Sequence, residues 1–594
     1  MTDKALLGIS CGFHDSAAAL VGIDGDVIYA SSQERFSRIK GDSAWPEMSI
    51  NHALAVADAA NLQVIGICCH ENPQKSSLWH VINKFNPFSV HKPKFSTIKK
   101  NIERYKLYMS SLEGLLKRLG LSRKSLFFTD HHVSHAMAAR AFSSEKSGQV
   151  YIFDAFGEGS SGFIGYLGNS FSNDITISKI FKVSQSVGLF YSSITALCGF
   201  KVLTGEYKLM GLAPYGQPTY YDEICKVFGE PNISEFTTEA INPFTEHIAS
   251  DRLQKLLGIH NRIPESPVTK KYMDLAASAQ FYLEKLIINI IYQNIESVPK
   301  ELERNIFIGG GVALNCKLTS EIQKNFSDYR IFICPAAGDA GSAIGCCHAK
   351  LLDNISGIHQ LKETTTAYLG SSFTQNDIDD YLELFGFRKK SFEDSLPLFL
   401  SRLLASGKVG AVFNGKSEFG PRALGNRSIL ADPSKEDALL KINKYIKSRE
   451  DFRPLAPITT EELASSTFNI EADKMHLLRY MLTLVDVPKS IQNWIRSAVH
   501  VDGTARLQVI NKEDNKFIHE LITAFHIMTG VPALINTSFN QRGEPIVDTI
   551  EDALTCFVSA NLDFLVAGNS ILLREEQDKS VLMSYQRHEI LPLD

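Results

Sequence analysis

The chain has 594 residues, of which 44% are hydrophobic, 21% charged and 10% aromatic, and its formal net charge is -5 at pH 7. This length exceeds the roughly 250 to 300 residues over which one hydrophobic core grows, so at least two globular domains are expected, and the composition excludes a disordered or fibrous chain. The acidic balance gives no net attraction to nucleic acid or to an anionic membrane, and neither is an expected partner.

The first residues predict a β-meander of three strands in LLGISCG, HDSAAALVGI and VIYASSQERF, with a DGD turn before the third. A strand that begins at once does not match a signal peptide, and no run approaches the roughly 18 apolar residues of a membrane span. A cytoplasmic protein is therefore expected. The basic run HKPKFSTIKKNIERYK, at 91–106, is typical of a solvated helix face rather than of a nucleic-acid site.

Three histidines fall within the segment DHHVSHAMAARAF. His131 and His135 are four residues apart, so on a helix they share one face and can ligate one ion. His132 points elsewhere and is expected to be structural. For such a pair taken alone, packing or capping of the helix is the commoner role, and the metal hypothesis depends on carboxylates elsewhere in the chain.

A second meander is predicted in QVYIFDAFGEGSSGFIGYLG, where an apolar strand ends in Asp154 and a Gly-rich turn leads into a return strand. Two hairpins of this kind, one at the start of the chain and one midway, indicate a duplicated α/β fold. A ligand cleft is expected between its halves.

A long, largely buried helix is predicted over 272–297, and the strand NIFIGGGVALN leads through three glycines into a helix that opens at Asn315. A second strand, Gly loop and helix unit follows in IFICPAAGDAGSAIGCCHAK, with Asp339 in its loop. Glycines there let backbone N–H groups approach a phosphate at a helix N-terminus, although a tight turn explains each loop equally well. Two such units in succession favour a nucleotide site.

The histidine pair and the two aspartates form a candidate metal set. Two imidazoles and two carboxylates suit a borderline divalent ion such as Fe(II), Mn(II) or Zn(II), and they leave coordination positions open for substrate. The chain has no HExxH motif, so the common metalloprotease mechanism has no support.

The polar stretch 353–366 is the predicted linker between a first domain, 1–352, and a second domain, 367–594. The second domain opens with helices near 374–386 and 395–406 and with the strand KVGAVFNG. A dense run of cations then occurs among Gly, Pro and aromatic residues, without the regular alternation with acids of a solvated helix. The run comprises Lys416, Arg422, Arg427, Lys447, Arg449 and Arg453.

Guanidinium groups bind phosphate oxygens bidentately, and each charge-assisted hydrogen bond contributes roughly 1.5 to 3 kcal/mol. Arg506 follows in DGTARLQVI, and the short polar residues Asn536, Ser538 and Asn540 follow an apolar strand in LINTSFNQRGEPIV. Surface ion pairs are the alternative explanation for the cations. A small anionic substrate together with a nucleotide accounts better for the whole set.

Taken in order, ten segments resemble the NodU/CmcH-type O-carbamoyltransferases, the family that includes the nodulation-factor, cephamycin, ansamycin and tobramycin carbamoyltransferases. The segments are GFHDSAAAL, QERFSRIKGD, HHVSHA, FDAFGEGSSG, GEYKLMGLAPYG, GGGVALNCKL, PAAGDAGSAIG, FGPRALGNRSI, KSREDFRPLAP and NTSFNQRGEPIV. The resemblance extends over nearly the whole chain, and ten segments in the same order make it specific.

The resemblance implies an α/β enzyme of two domains. The N-terminal domain is similar to the threonylcarbamoyl-transferase relatives of the actin and sugar-kinase superfamily, and the C-terminal domain is similar to YrdC-type adenylating enzymes. In the family, the C-terminal domain joins carbamoyl phosphate to ATP to give carbamoyladenylate, and the N-terminal domain transfers the carbamoyl group to an acceptor hydroxyl and releases AMP. Fe(II) in the N-terminal domain and Mg²⁺ with ATP are the implied metals, and a natural product is the expected small-molecule acceptor.

Position by position, the resemblance implies several groups of site residues. The metal ligands are His131, His135, Asp154 and Asp339. His14, with Asp15 beside it, deprotonates or positions the acceptor hydroxyl, unless His14 only caps its turn. The residues near the N-terminal nucleotide are Lys40, Glu206, Lys208, Gly310, Gly311 and Asn315. The residues for carbamoyl phosphate and ATP are Arg422, Lys447, Arg449, Met481, Arg506, Ser538 and Asn540, of which Lys447 and Arg506 count as catalytic.

One segment departs from the family pattern. The family commonly has Ser-Pro, an aromatic residue and Met, whereas LLRYMLTLVDV has Leu478 and Arg479 before the aligned Met481. Arg479 adds a phosphate contact or simply packs differently.

The alternative function is a nucleotide- and metabolite-sensing protein of the actin and sugar-kinase superfamily without transferase activity. The carbamoyltransferases of hydrogenase maturation carry an acylphosphatase module and CxxC zinc fingers, which this chain lacks. A tRNA-threonylcarbamoylating enzyme is disfavoured by the acidic balance. A homodimer is one expectation for the oligomeric state.

Overall fold

The computed structural model describes residues 3–85, 94–168, 175–241, 248–296, 304–354, 361–392 and 395–587. Contacts divide the chain into two compact units. Unit 1 comprises residues 1–37 with 41–365, and unit 2 comprises residues 38–40 with 366–594. Among the described helices, none combines the length and the apolar character needed to cross a bilayer.

Unit 1 alternates strands and helices along the chain. Its strands are β1 (Lys4–Ser10), β2 (Ala17–Gly22), β3 (Val27–Ser32), β4 (Gln63–Cys69), β5 (Leu126–Phe128), β6 (Gly148–Gly157), β7 (Ser160–Leu167), β8 (Ile175–Lys182), β9 (Asn305–Gly309) and β10 (Arg330–Ile333). Its helices are α1 (Glu34–Ser37), α2 (Glu47–Ala59), α3 (Pro73–Phe85), α4 (Phe95–Arg118), α5 (His131–Ala141), α6 (Val187–Leu197), α7 (Glu206–Leu212), α8 (Tyr221–Phe228), α9 (Asp251–Leu257), α10 (Lys270–Ile295), α11 (Cys316–Asn325) and α12 (Ser342–Asn354).

Two five-stranded sheets of unit 1 share one connectivity. In the sheet ordered β3-β2-β1-β4-β5, the first three strands form an antiparallel meander, and β4 and β5 run parallel to β1. In the sheet ordered β10-β9-β6-β7-β8, β6 to β8 form the meander, and β9 and β10 run parallel to β6. This repetition confirms the predicted duplicated α/β fold.

Helices α5 and α12 pack across the two sheets. α5 follows the first sheet in sequence but packs against β6 and β9 of the second, and α12 follows the second sheet but packs against β1 and β2 of the first. The helices also cross each other so closely that a Cβ on Gly345 would overlap the carbonyl oxygen of Ser134. This exchange brings the start of α5 close to the loop that precedes α12.

The structure tests two predictions for unit 1, the long helix over 272–297 and the position of Asp154. The long helix predicted over 272–297 is confirmed as α10, with residue 297 outside the described residues. The sequence places Asp154 at the end of a strand, but this is wrong because Asp154 lies inside β6. The strand continues to Gly157, past an irregular register that begins after Phe153.

The predicted linker overlaps ordered structure at both of its ends. α12 extends to Asn354, and residues 361–365 belong to unit 1. Backbone hydrogen bonds attach these residues to unit 1: the N–H of Lys362 donates to the carbonyl of Asp24 and the N–H of Thr364 to the carbonyl of Ala141, each over 2.8 Å. Residues 355–360 of the linker and 91–93 of the basic run lie outside the described residues, and the rest of that run leads into α4.

Unit 2 is built on one large mixed sheet. Its strands are β11 (Lys390–Ser391), β12 (Gly410–Phe413), β13 (Arg427–Ala431), β14 (Ala456–Thr460), β15 (Val485–Asp486), β16 (Thr504–Ala505), β17 (Gln508–Ile510), β18 (Leu534–Ser538), β19 (Phe564–Ala567) and β20 (Ser570–Leu573). Its helices are α13 (Gln375–Leu384), α14 (Leu396–Ala405), α15 (Ala438–Leu440), α16 (Glu461–Phe468), α17 (Met475–Leu478), α18 (Lys489–Gln492), α19 (Lys516–Thr529), α20 (Ile550–Ser559) and α21 (Lys579–Ser584). The sheet order is β11-β20-β19-β12-β13-β18-β14-β17, and β15 pairs with β16.

Both faces of the large sheet are buried, and successive residues of a strand contribute to opposite cores because side chains alternate along a strand. Along β12, Val412 joins a core with α14 and α19, whereas Ala411 and Phe413 join a core with α13 and α20. The predicted helices near 374–386 and 395–406 are confirmed as α13 and α14, and the strand in KVGAVFNG is confirmed as β12.

Candidate active site and metal centre

Helix α5 presents two histidines to one point inside unit 1. His131 is the first residue of the helix and His135 lies one turn later, so their rings share a face. Their Nε2 atoms are 3.3 Å apart, and both side chains are buried.

Two aspartates complete this cluster. Asp154 reaches it from β6, with its Oδ2 atom 3.1 Å from Nε2 of His131 and 3.5 Å from Nε2 of His135. Asp339 reaches it from the 3-10 turn before α12, with its Oδ1 atom 3.6 Å and 3.4 Å from the same two nitrogens. The structure thus brings all four predicted ligands together.

The four side chains fit a divalent cation. Their ligand atoms lie within 4.8 Å of one another, and all four residues are buried. Both carboxylate oxygens of Asp339 are buried without a hydrogen-bond partner, which is costly for an ionised group unless a cation compensates it. The cluster could therefore hold a metal ion, and two imidazoles with two carboxylates are typical ligands of a first-row transition metal.

Neighbouring groups contact the candidate ligands at atoms that do not face the centre of the cluster. The backbone N–H of Gly311 donates to Oδ1 of Asp154 over 3.2 Å. The hydroxyl of Ser342 lies 3.3 Å from Nδ1 of His135, and Oε2 of Glu71 lies 3.5 Å from Nδ1 of His131. The loops after β4 and β9 and the first turn of α12 thus orient the site.

The charges of this cluster depend on each other. Burial alone would raise the pKa of Asp154, but hydrogen bonds with His131 and His135 hold it well below its ordinary value. Burial likewise opposes protonation of His131, yet Asp154 and Asp339 raise the pKa of this histidine well above normal. A bound cation would replace those protons as the partner of the carboxylates.

His132 differs from its two neighbours. Its Nδ1 atom lies 3.1 Å from the hydroxyl of Ser160, and its Nε2 atom is 4.0 Å from Asp154. Burial lowers the pKa of His132 to about 3, and the charge of His131 adds to the effect. His132 is therefore neutral, and its structural role stays a prediction.

His14 and Asp15 adjoin the same cluster. Nδ1 of His14 is 3.0 Å from Asp15, and its Nε2 atom is 3.9 Å from Oδ2 of Asp339. Burial opposes protonation of His14, but Asp339 and Asp15 outweigh it and raise the pKa to about 10. Asp15 has a φ of 50°, a strained conformation for a residue with a side chain.

The residues predicted to bind the N-terminal nucleotide lie after β9, on α7 and in the segment 38–40. Gly310 has a φ of +86°, and a Cβ there would overlap the carbonyl oxygen of Phe153, so glycine is required. Asn315 caps α11 by accepting from the N–H of Leu318, and it pairs with Gln280.

Glu206 and Lys208 lie on α7, where the carboxylate of Glu206 accepts from Ser192 over 2.6 Å. Lys208 is buried, with its ammonium over the Phe200 ring. Lys40, in contrast, belongs to the segment 38–40 of unit 2, so the structure does not group it with the other residues predicted for this nucleotide.

In unit 2, Lys447 joins two of the predicted phosphate-site residues. Its ammonium donates to the carbonyl and the hydroxyl of Ser538 and to Oδ1 of Asn540, the last two over 2.9 Å and 2.6 Å. All three acceptors are uncharged. Burial, with the nearby charge of Arg449, holds the pKa of Lys447 well below its ordinary value.

The other predicted residues of this site lie on separate loops. Arg449 follows Lys447 and donates from Nε to Asn443 over 2.8 Å, and Arg506 lies between β16 and β17. Arg422 lies in the loop after β12. Met481 has a φ of 56° and packs in a small apolar cluster with Leu424.

Two of the basic residues have structural partners. Arg427 is fully buried and donates to the carbonyls of Asn414, Asn426, Ser371 and Gly415, with its guanidinium 3.9 Å from the centre of the Phe413 ring. Arg479 pairs with Glu461 over 3.0 Å and lies 3.8 Å from Asp514. The interpretation of Arg427 as one of a run of phosphate ligands is therefore not supported by its contacts.

Three residues that the sequence motifs do not single out contact residues predicted for these sites or the loops around them. Glu71 follows β4, and the sequence feature that could have identified it is an acidic residue just beyond a buried parallel strand. Glu418 accepts from the N–H groups of Leu424, Asn426 and Arg427 and so folds the loop that carries Arg422. Arg542 lies 3.7 Å from Glu450, which also pairs with Arg453.

Comparison with known proteins identifies both parts of the chain. Residues 5–348 match the family model described as carbamoyltransferase N-terminus, and residues 401–574 match the one described as carbamoyltransferase C-terminus. An uncharacterized protein of Synechocystis is 35% identical over 96% of this chain and 97% of its own length. The nodulation protein NolNO of Sinorhizobium fredii is 33% identical over 94% of this chain and 79% of its own length.

A third relative is a carbamoyltransferase by name. The 3'-hydroxymethylcephem-O-carbamoyltransferase of Amycolatopsis lactamdurans is 32% identical over 46% of this chain and 49% of its own length. Among solved structures, the T. kodakarensis HypF protein is 13% identical over 59% of this chain and 47% of its own length, with a TM-score of 0.30.

Proposed function

The chain belongs to the carbamoyltransferase family and is an enzyme of that class, and on this premise we propose that it is an ATP-dependent O-carbamoyltransferase. In this proposal unit 2 makes carbamoyladenylate from carbamoyl phosphate and ATP. Unit 1 then transfers the carbamoyl group to a hydroxyl of a small-molecule acceptor, of the kind found in natural products.

The first half-reaction balances with one water molecule. Water cleaves the P–O bond of carbamoyl phosphate, which gives carbamate and inorganic phosphate. A carbamate oxygen then attacks the α-phosphorus of ATP, which accompanies Mg²⁺, and displaces pyrophosphate. In this proposal Arg449 and Arg506 supply positive charge that these anions require, and a phosphate bound beside Lys447 raises the depressed pKa of that residue, so that its ammonium adds to them. The hydrogen bonds from Lys447 support it, because they hold Ser538 and Asn540 in place before substrate binds.

In the second half-reaction the acceptor oxygen attacks the carbamoyl carbon, the bond to the adenylate oxygen breaks, and AMP leaves. His14 is the proposed base. With its Nδ1–H directed at Asp15, the Nε2 atom receives the hydroxyl proton. Burial opposes protonation of His14, but Asp339 and Asp15 raise its pKa to about 10, so His14 carries a proton at neutral pH while the Asp339 carboxylate is uncompensated. A cation held by Asp339 would lower that pKa and leave His14 neutral, as a base must be.

The proposed metal ligands are His131, His135, Asp154 and Asp339, with Fe(II) as the ion. A divalent cation held there would supply Lewis acidity toward a phosphoryl or acceptor oxygen. The observation that carries this assignment is the buried carboxylate of Asp339: neither of its oxygens has a hydrogen-bond partner, and Oδ1 lies 3.4 to 3.6 Å from two histidine nitrogens.

The first test is adenylation without an acceptor. The purified chain is incubated with carbamoyl phosphate, ATP and Mg²⁺, and phosphate, pyrophosphate and carbamoyladenylate are measured. The wild type is expected to form all three. Lys447→Ala should abolish pyrophosphate and carbamoyladenylate, because Ser538 and Asn540 lose the group that holds them, and leave only the phosphate that carbamoyl phosphate releases spontaneously. Lys512→Ala, which removes an exposed lysine of the same unit, should form all three products like the wild type. Absence of pyrophosphate and carbamoyladenylate with the wild type would contradict the proposal.

The second test separates transfer from adenylation. A panel of sugar, aminoglycoside, polyketide and alkaloid alcohols is screened by mass spectrometry for gain of one carbamoyl group. His131→Ala is expected to keep adenylation and lose transfer, and His260→Ala, an exposed histidine of unit 1, is expected to keep both. If His131→Ala and Lys447→Ala lose adenylation equally, the proposed division between the units is wrong.

A further inference from the structure

The two metal-facing histidines differ in what contacts their outer ring nitrogens. Nδ1 of His135 faces a neutral hydroxyl, that of Ser342, at 3.3 Å. Nδ1 of His131 faces a carboxylate, with Oε2 of Glu71 at 3.5 Å. Glu71 approaches from the loop after β4, in the sheet opposite to the one that supplies Asp154.

A neutral imidazole carries one N–H and one lone pair. Nε2 of His131 lies among Asp154, Asp339 and His135, so with a cation in the cluster that nitrogen would offer its lone pair to the ion and Nδ1 would carry the ring proton. Nδ1 is buried without a hydrogen-bond partner, and the carboxylate that faces it is that of Glu71, with Oε2 at the ion-pair distance of 3.5 Å. A carboxylate in this position fixes the tautomer and the ring orientation and makes the opposite nitrogen a better donor to a metal.

His131 needs such support more than His135 does. It is the first residue of α5, so its backbone is held by only part of a helical turn, whereas His135 lies inside the helix. The side chain of Glu71 is itself only 13% exposed, so its carboxylate is held by the protein rather than by bulk water.

We propose that Glu71 is a positioning residue, which holds His131 through Nδ1 and sets the affinity of the His131, His135, Asp154 and Asp339 cluster for its cation. This inference rests on the proposed function only in taking that cluster as the metal site. It assigns no step of the reaction to Glu71.

A second cation is the competing explanation for the same residues. His70, Glu71 and His131 also lie close enough to share an ion, and both ring nitrogens of the buried His70 lack hydrogen-bond partners. The geometry favours the positioning role, because His131 has one lone pair and already directs it into the first cluster. A second ion would require His131 to lose both of its ring protons.

Glu158 provides a matched control. Its carboxylate also touches residue 131, but it accepts from the backbone N–H of His131 over 3.4 Å and from the N–H of Asn72 over 2.6 Å. Glu158→Gln therefore removes a nearby carboxylate without altering the contact to the imidazole ring.

The test is titration of the metal-free full-length chain with Co²⁺ alone, followed by visible absorption and by competition with a chelator. The wild type is expected to bind one equivalent. Glu71→Ala should weaken binding by roughly 10- to 100-fold, the usual effect of losing such a partner, and should shift the Co²⁺ absorption bands. Glu71→Gln should recover most of the affinity, because its amide oxygen presents an acceptor to Nδ1–H from the same position. Glu158→Gln should bind like the wild type.

Each other outcome overturns the inference in a distinct way. Wild-type affinity and bands in Glu71→Ala would show that Glu71 does not position His131. Equal weakening in Glu71→Gln and Glu71→Ala would indicate an effect of charge alone. Two equivalents in the wild type, reduced to one in both Glu71 variants, would assign Glu71 to a second metal site. Failure of the wild type to bind Co²⁺ would refute the metal part of the proposed function as well.

Discussion

Glu284 shows how burial of one ionisable residue makes stability depend on pH. Its side chain on α10 accepts from Gln280 over 2.9 Å. Burial raises the pKa of this carboxyl to about 7, against a smaller opposing effect of that hydrogen bond and of Lys317. The folded state thus keeps a proton that the unfolded state releases near its ordinary pKa of 4.5. Stability from this residue is full below pH 4.5 and is lost as the pH rises through about 7.

Glu284→Gln is therefore expected to stabilise the protein at pH 8 and to have little effect at pH 4.5. The gain at pH 8 should be about 3 kcal/mol at most, from a pKa difference of about 2.5. Thermal unfolding of both proteins at the two pH values measures it. An equal change in midpoint at both would rule out ionisation of Glu284 as the cause.

At the scale of elements, the crossing of α5 and α12 sets the spacing of the metal ligands. Gly345→Ala puts a Cβ into the carbonyl oxygen of Ser134, so the helices must separate. Because His131 and His135 lie on α5 and Asp339 precedes α12, the variant should bind Co²⁺ more weakly although no ligand is changed. Overpacking of this kind should also destabilise the protein by about 1 to 3 kcal/mol.

Gly114→Ala is the control for that change. Gly114 lies on α4 with nothing within 4 Å of the added Cβ, so the substitution should leave Co²⁺ binding unchanged and stabilise the helix by about 0.5 to 1 kcal/mol. The Co²⁺ titration and thermal unfolding measure both variants. Wild-type Co²⁺ affinity in Gly345→Ala would show that the site adapts to the wider crossing.

At the scale of the whole molecule, the proposed function requires an intermediate to pass from unit 2 to unit 1. Carbamoyladenylate is a mixed anhydride that water hydrolyses, so we expect it to stay with the chain that made it. A mixture of full-length Lys447→Ala and His131→Ala proteins should then form almost no carbamoylated product. Carbamoyladenylate supplied to Lys447→Ala alone should restore transfer. Product from the mixture at the wild-type rate would show that the intermediate diffuses freely.

Local patterns account for the parts of the site that the sequence predicts well. The four-residue spacing of His131 and His135 places them on one helix face whatever the rest of the chain does, since helical periodicity is a property of the backbone. The Gly-rich loops after β9 and β10 can also be recognised in the sequence. In the first of them Gly310 has a positive φ, a conformation that favours glycine over residues with a side chain. The roles of the individual site residues stay predictions.

The sequence by itself determined the class of the fold, the duplicated meanders, the family and the residues with metal-binding chemistry, because periodicity, turn residues and ordered motifs are all carried along the chain. Only the tertiary structure shows that Asp154 lies within β6, that Arg427 donates to backbone carbonyls, and that Glu71 faces Nδ1 of His131. These outcomes depend on strand register and on distances between residues far apart in sequence. Such distances are set by how sheets and helices pack, and no local pattern contains them.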